Sequence, residues 1–324
     1  MKILVTGSSG HLGEGLMRTL RARGDDVVGV DIIPSPFTDV VGSIADRGIV
    51  ERCVRGVDVV LHAATLHKPH VATHSNQAFV DANVTGTLNL LEESVTNGVR
   101  AFIFTSTTST FGDALTPPKG APAAWITEDV VPIPKNIYGV TKTAAEGLCQ
   151  LFHRNHSLNC LILRTSRFFP EEDDVAERRT AFDQTNLKVN ELLYRRVDLE
   201  DVVNSHLLAI EKAPTLKFGK FIITATTPFT PDDCAALGRD APFVVAKYFP
   251  DFPQVYAGCG WKMLARLDRV YVNERARHVL GWEPAWDFAR ALRAVRDGED
   301  IRSPLAREVG AKGYHREEDE ARHA

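Results

Sequence analysis

Tyr138 and Lys142 stand four residues apart in the run Asn136-Ile137-Tyr138-Gly139-Val140-Thr141-Lys142. On a helix that spacing stacks both side chains on one face. A phenol with an ordinary pKa of about 10 is a poor base near neutrality. A neighbouring ammonium favours the phenolate and brings it toward a useful range. The pair suits proton transfer to or from a secondary alcohol. The same spacing also occurs on ordinary exposed helices, so the weight of the assignment falls on the segments around it.

Upstream, the apolar strand Ala101-Phe102-Ile103-Phe104 spills into Thr105-Ser106-Thr107-Thr108-Ser109-Thr110. At the carboxyl end of a parallel strand, hydroxyls face the crevice where α/β sheets bind ligands. Hydroxyls also cap helices and line turns, so most of this row is expected to be structural. One of them beside Tyr138 would hold the substrate oxygen.

These groups need a scaffold, and the start of the chain describes one. Lys2-Ile3-Leu4-Val5-Thr6 reads as a buried parallel strand. It runs into Gly7-Ser8-Ser9-Gly10-His11-Leu12-Gly13 and then an amphipathic helix carrying Leu12, Leu16 and Leu20. Gly7, Gly10 and Gly13 permit a tight turn and close approach to a pyrophosphate. The helix start at His11 and Leu12 offers its free N–H groups to the anion. The next strand, Asp26 to Asp31, ends in an acid that can bind ribose hydroxyls and repel a 2′-phosphate. Ile32-Ile33-Pro34 supplies no arginine for such a phosphate, so NAD is favoured over NADP.

Val40-Val41 is expected as a short strand, with Ile44 following at the adenine edge. Val57 to Ala64 reads as a further strand whose small end, Ala63-Ala64, lets a cofactor lie close. A long helix opens at Asn83. His67, His70 and His74 share a loop, but no acid or cysteine cluster accompanies them, and they read as solvated histidines rather than metal ligands.

The 324 residues are 44% hydrophobic and 25% charged, enough for a large α/β domain plus a smaller one. A net charge of -4 leaves no footprint for nucleic acid. No apolar run reaches the roughly 20 residues of a membrane helix, and the first residues enter a strand at once, leaving no room for a signal peptide. Five scattered cysteines read as reduced thiols. The expectation is a cytoplasmic protein.

The motifs together resemble the extended short-chain dehydrogenase/reductases of the NAD-dependent epimerase/dehydratase group. The likeness covers roughly the first 210 residues and rests on Thr6 to Gly13, Asp31, His62-Ala63-Ala64, the run from Asn83, the Thr107 row, Tyr138/Lys142 and Arg164. It implies a Rossmann-type doubly wound parallel sheet with a small C-terminal substrate-capping region. Residues 1–165, with 197–225 returning, would hold NAD; 166–196 and 226–315 would hold substrate; 316–324 would be a solvated tail. Tyr138 becomes the general acid/base, Lys142 a ribose ligand that lowers the Tyr138 pKa, Thr107 the hydroxyl on the substrate oxygen and Asn83 the supporting Asn beside the cofactor. A homodimer through the helices after Asn83 and Tyr138 is implied too.

Departures from the family pattern bear on substrate. Thr108-Ser109 replace the Asp-Glu pair that follows the catalytic Thr in 4,6-dehydratases. Arg164 to Pro170 lacks the Asn and Gly of nucleotide-sugar epimerases, and the following segment is short for a nucleotide clamp. Here the chain is more similar to uronate dehydrogenases. Thr108, Ser109, Arg167 and Arg178 are the candidate substrate residues, since a guanidinium binds carboxylate or phosphate in bidentate fashion. The expected activity is NAD-dependent hydride transfer at a secondary hydroxyl of a sugar or sugar acid. The alternatives are a nucleotide-sugar 4-epimerase with tightly held NAD and a non-catalytic dinucleotide sensor.

Overall fold

Cys160-Leu161-Ile162-Leu163 has no polar side chain on either face, and such a strand is stable only when both faces are covered. In the computed structural model, which describes residues 1–173 and 176–313, every residue of this strand is buried. The strands are β1 (Lys2–Thr6), β2 (Asp26–Asp31), β3 (Val40–Val41), β4 (Val59–His62), β5 (Ala101–Thr107), β6 (Ala124–Ile126), β7 (Cys160–Thr165), β8 (Phe218–Ile223) and β9 (Arg269–Tyr271). Seven form one sheet in the order β3-β2-β1-β4-β5-β7-β8, every pair parallel. β6 and β9 pair separately.

The helices are α1 (His11–Ala22), α2 (Arg47–Val54), α3 (Asn76–Val80), α4 (Gly86–Thr96), α5 (Ile137–His156), α6 (Ala176–Ala181), α7 (Gln184–Leu192) and α8 (Leu199–Leu216). They continue as α9 (Cys234–Leu237), α10 (Ala241–Tyr248), α11 (Phe252–Cys259), α12 (Phe288–Asp297) and α13 (Pro304–Val309). Strand side chains alternate between faces, so Ile3 and Val5 join one core with Leu16 of α1 and Val203 of α8, while Leu4 joins another with Leu90 of α4 and Cys149 of α5. This is a Rossmann-like α/β sandwich. A third core, including Leu193, Phe229, Val244 and Phe288, is built by the later chain. The Trp282 turn is fastened to α8: its indole N–H donates to the Asp201 carbonyl (3.0 Å), and the Asp201 carboxylate accepts Ala285 N–H and Trp286 N–H.

β1 lies between β2 and β4, so successive crossovers leave it in opposite directions. The carboxyl ends of β1 and β4 therefore splay helices to opposite faces and open a crevice. One helix differs from expectation. It starts at Asn76, capped by Ser75 Oγ accepting Ala78 N–H, and passes through a π-helical turn, Asp81–Thr85, before α4. The extra residue of that turn carries Asn83 into the interior, where it is buried. The expected tail 316–324 lies outside the described residues.

Candidate active site

The glycine turn sits at this crevice. Gly7 has φ +72°, and a Cβ there would lie 2.7 Å from Ala64 N; one on Gly13 would lie 1.8 Å from Gly7 O. No other residue allows this packing of turn, α1 and β4. By helix geometry the first N–H groups of α1, at His11 and Leu12, have no intrahelical partner and point out of the turn that Gly10 caps. Asp31 ends β2 beside them, accepting Ser9 N–H and Ile33 N–H, both at 3.0 Å. An acid at the strand end, helix N–H groups directed out of the turn, and the glycines Gly7, Gly10 and Gly13 fit a dinucleotide with free ribose hydroxyls. Ile44 is buried against Gly86, and its carbonyl accepts from Asn89 at 3.1 Å. Ala63 and Ala64 donate their N–H groups to the Thr6 carbonyl and hydroxyl.

His62, one residue earlier, bridges two hydroxyls: Nδ1 meets Thr6 Oγ1 at 2.8 Å and Nε2 meets Thr87 Oγ1 at 2.9 Å. Thr87 donates its own proton to the Asn83 carbonyl, so Nε2–H is the donor and the ring is neutral. Burial, with Lys142 nearby, holds its pKa well below the ordinary range. All four hydrogen-bonding sites of the Asn83 amide are taken up inside the protein. Oδ1 accepts from Thr65 Oγ1 and Leu66 N–H; Nδ2 donates to Leu66 O and Thr141 Oγ1. Asn83 thus ties the loop after β4 to α5, next to Lys142.

α5 begins at Asn136, whose Oδ1 accepts Gly139 N–H at 3.0 Å. Tyr138 and Lys142 are buried on its inward face. Burial pushes the Tyr138 phenol up to about 12, and the Thr107 hydroxyl, at the end of β5, offsets part of that. Lys142 lies 4.0 Å from the Phe104 ring centroid and is brought down to about 7 by burial, with Glu146 pulling the other way. Desolvation of both groups therefore outweighs the expected lowering of Tyr138 by Lys142.

Most of the hydroxyl row is engaged inside the protein. Thr107 Oγ1 accepts Ser109 N–H, Thr110 donates to the Thr107 carbonyl, and Thr105 contacts His206 at 2.8 Å. Thr108 is buried and Ser109 is half-buried. Arg167 donates to Asp173 at 2.6 Å and lies 3.7 Å from Glu191; Arg178 lies 3.8 Å from Asp173. Both arginines are thus engaged with carboxylates. His70 is not a solvated loop residue: its Nδ1 accepts His67 N–H, and burial lowers it to about 4. Among the described residues, no cluster of three or more His, Cys, Asp or Glu could hold a metal.

Sequence reading missed one group. Glu146, four residues beyond Lys142, is 1% exposed and accepts from Arg164 at 2.9 and 2.7 Å and from Ser106 at 2.6 Å. Its signal was present in the continuing four-residue spacing 138, 142, 146.

The comparisons fall on the same regions. The model of the NAD dependent epimerase/dehydratase family matches residues 3–217. The uncharacterized protein y4nG of Sinorhizobium fredii is 32% identical over 166 residues, 50% of this chain and 39% of that protein, so the match spans well under half of that relative. A short-chain dehydrogenase/reductase superfamily protein from Agrobacterium tumefaciens, solved with bound NAD, aligns over 99% of this chain and 100% of its own at 25% identity and TM-score 0.66. The UDP-glucose 4-epimerase of Thermotoga maritima, solved with UDP-glucose, shares the fold at 24% identity and TM-score 0.64 over 92% and 98% of the two chains. No helix of the described residues is long and apolar enough to cross a membrane. With the glycine turn, Asp31 and the crevice fitted to a dinucleotide, the chain belongs to the NAD-dependent epimerase/dehydratase family of enzymes.

Proposed function

We propose that this enzyme transfers hydride at a secondary hydroxyl of a sugar or sugar acid, with Thr107, Tyr138 and Lys142 handling the proton. The observation that carries the reading is the burial of Tyr138 and Lys142 together on one face of α5, one helical turn apart, with the buried Thr107 hydroxyl at the end of β5 acting on the phenol. In the reducing direction Tyr138, held as a phenol, gives its proton to the substrate oxygen. In the oxidising direction it takes the hydroxyl proton while Thr107 donates a hydrogen bond to the oxygen. Lys142 supplies the positive charge that favours the phenolate, and it titrates near 7. NAD, when bound, supplies the hydride acceptor or donor. Gly7, Gly10, His11, Leu12, Gly13, Asp31, Ile44, Ala63 and Ala64 would hold it, so residues 1–165 and 197–225 form the cofactor part, and 166–196 with 226–315 the substrate part.

The substrate class draws support from the loop after β7. Arg167, Arg178 and Arg195 gather around Asp173 in the part assigned to substrate, and guanidinium groups so placed are the donors that recognise a carboxylate in bidentate fashion. Thr108 and Ser109 stand beside Thr107 as further contacts. Likeness to the Thermotoga UDP-glucose 4-epimerase favours a second reading, a nucleotide-sugar 4-epimerase that retains NAD. The buried Tyr138/Lys142 pair argues against a mere dinucleotide sensor. Val140 and Leu151 are exposed on α5 and support a homodimer through this helix, checked by light scattering.

The deciding experiment follows NADH absorbance over free sugars, sugar acids and nucleotide sugars, with Tyr138→Phe alongside. NADH from a free sugar or acid, reduced 10²–10⁴-fold in the variant, is the expected result. Epimer formation from a nucleotide sugar without NADH would establish the second reading. Full activity in Tyr138→Phe would refute both.

A further inference from the structure

Away from the Tyr138 crevice, a cavity of about 50 Å³ lies between the Phe168–Pro170 loop, α7 and the segment leading to α13. Its lining carries Lys188, Arg196 and Arg302 with one acid, Asp198, and His11; Glu191 and Asp300, outside the lining, pair with the two guanidinium groups. Asp198 is occupied in capping α8 and the chain after it: Oδ1 accepts Glu200 N–H and Oδ2 accepts Ser303 N–H. Arg196 donates to Glu191 and to the Phe169 carbonyl, and Lys188 donates to the Pro170 carbonyl. An ammonium has three donors, so Lys188 has capacity beyond that single hydrogen bond. Burial, and then Arg196 and Arg302, pull Lys188 down to about 8, which marks a region hostile to positive charge.

Arg302 stands at the mouth, held by Asp300 at 2.7 and 3.0 Å. Together with Trp286 and Ile301 it also lines a surface groove of about 640 Å³ between α12 and α13. The inner cavity therefore adjoins an outer one. The groove carries Arg290, Arg293 and Arg307 with Asp297, Glu299 and Asp300, and Asp300 also pairs with Arg302; among the described residues no carboxylate is at salt-bridge distance from Lys188 in the inner chamber.

We propose that Lys188, Arg196 and Arg302 form an oxyanion site, outside the Tyr138 crevice and bordering the cofactor turn only at His11, that takes the phosphate or carboxylate head of a small metabolite whose body lies in the outer groove. The inner volume admits one such head group and no nucleotide. Bidentate guanidinium and ammonium donors are the groups that recognise it. The site does not depend on the reaction proposed above.

Calorimetric titration of the full chain with inorganic phosphate, at constant ionic strength set with sodium chloride, tests it. Titrations run with and without saturating NAD. Saturable binding that persists with NAD is expected, weakened at least tenfold in Lys188→Gln and in Arg302→Gln, and unchanged in Tyr138→Phe. Arg302 is half exposed, so its variant serves if Lys188→Gln folds poorly. Tighter binding of malonate than of phosphate would support the site with a carboxylate head; the reverse would support it with a phosphate. Loss of binding on NAD saturation would place the phosphate at the glycine turn and overturn the proposal. So would equal binding by both variants, or no saturable binding of either anion.

Discussion

Removing the Glu146 carboxylate tests how the site is held. Glu146 and Arg164 are 1% and 2% exposed and share two hydrogen bonds, at 2.9 and 2.7 Å. Glu146→Gln leaves the Arg164 guanidinium buried with only a neutral amide for a partner. Breaking a buried pair from one side costs about 3–5 kcal/mol. That is a large part of the roughly 5–15 kcal/mol that holds a folded domain. Replacing both partners by apolar residues of similar size, Glu146→Leu with Arg164→Met, removes both charges together and should cost about 2 kcal/mol or less. Ser106 keeps an amide acceptor in Glu146→Gln and loses it only in Glu146→Leu, while Lys220, at 3.5 Å, loses a weaker contact in both. Urea unfolding of the single variants and the double variant would give the coupling directly. Glu146 also raises the pKa of Lys142, so in Glu146→Gln the limb of the kcat profile that reports Lys142 should move to lower pH. A single-variant cost under about 1 kcal/mol, or a double cost equal to the sum of the singles, would refute the reasoning.

Two further outcomes follow from the geometry. Asp31→Ala removes the carboxylate that accepts Ser9 N–H and would face the ribose. Loss of hydrogen bonds to a charged group, worth about 1.5–3 kcal/mol, should weaken NAD roughly 10–100-fold and narrow its advantage over NADP; equal NAD affinity by fluorescence titration would refute it. Glu171 is held down to about 2: burial alone would raise it, but the His11 ring, at 3.0 Å, and the hydrogen bond from Lys312 N–H override that. A depressed carboxyl stabilises the fold above its unfolded pKa and loses that contribution as pH falls from about 4.5 toward 2. Wild type should therefore lose about 2–3 kcal/mol more than Glu171→Gln across that window, read as the difference in urea midpoints; parallel losses would exclude this role.

How much was legible in advance differs from residue to residue. The glycine turn, Asp31 and the Tyr138/Lys142 spacing could be read because each is a local requirement: a φ of +72° at Gly7, a strand ending in an acid, and two side chains one helical turn apart. Continuous apolar runs likewise announce strands covered on both faces, and seven parallel strands follow. The helix start was misplaced at Asn83 because the π-helical turn depends on packing against the loop after β4, a contact between residues 17 positions apart. Arg167 and Arg178 could be read from sequence either as substrate ligands or as balance for the acids from Glu171 on; Asp173, close in sequence, pairs with both, and α7 brings Glu191 to Arg167.

The sequence alone determined the fold class, the glycine turn and the family, because backbone sterics and hydrophobic period act within a few residues. The tertiary structure alone decided the charge states. Desolvation depends on what covers a group, and only the assembled fold shows that burial lifts Tyr138 to about 12, lowers Lys142 to about 7, and sets Glu146 beneath it with Arg164 as its counter-charge.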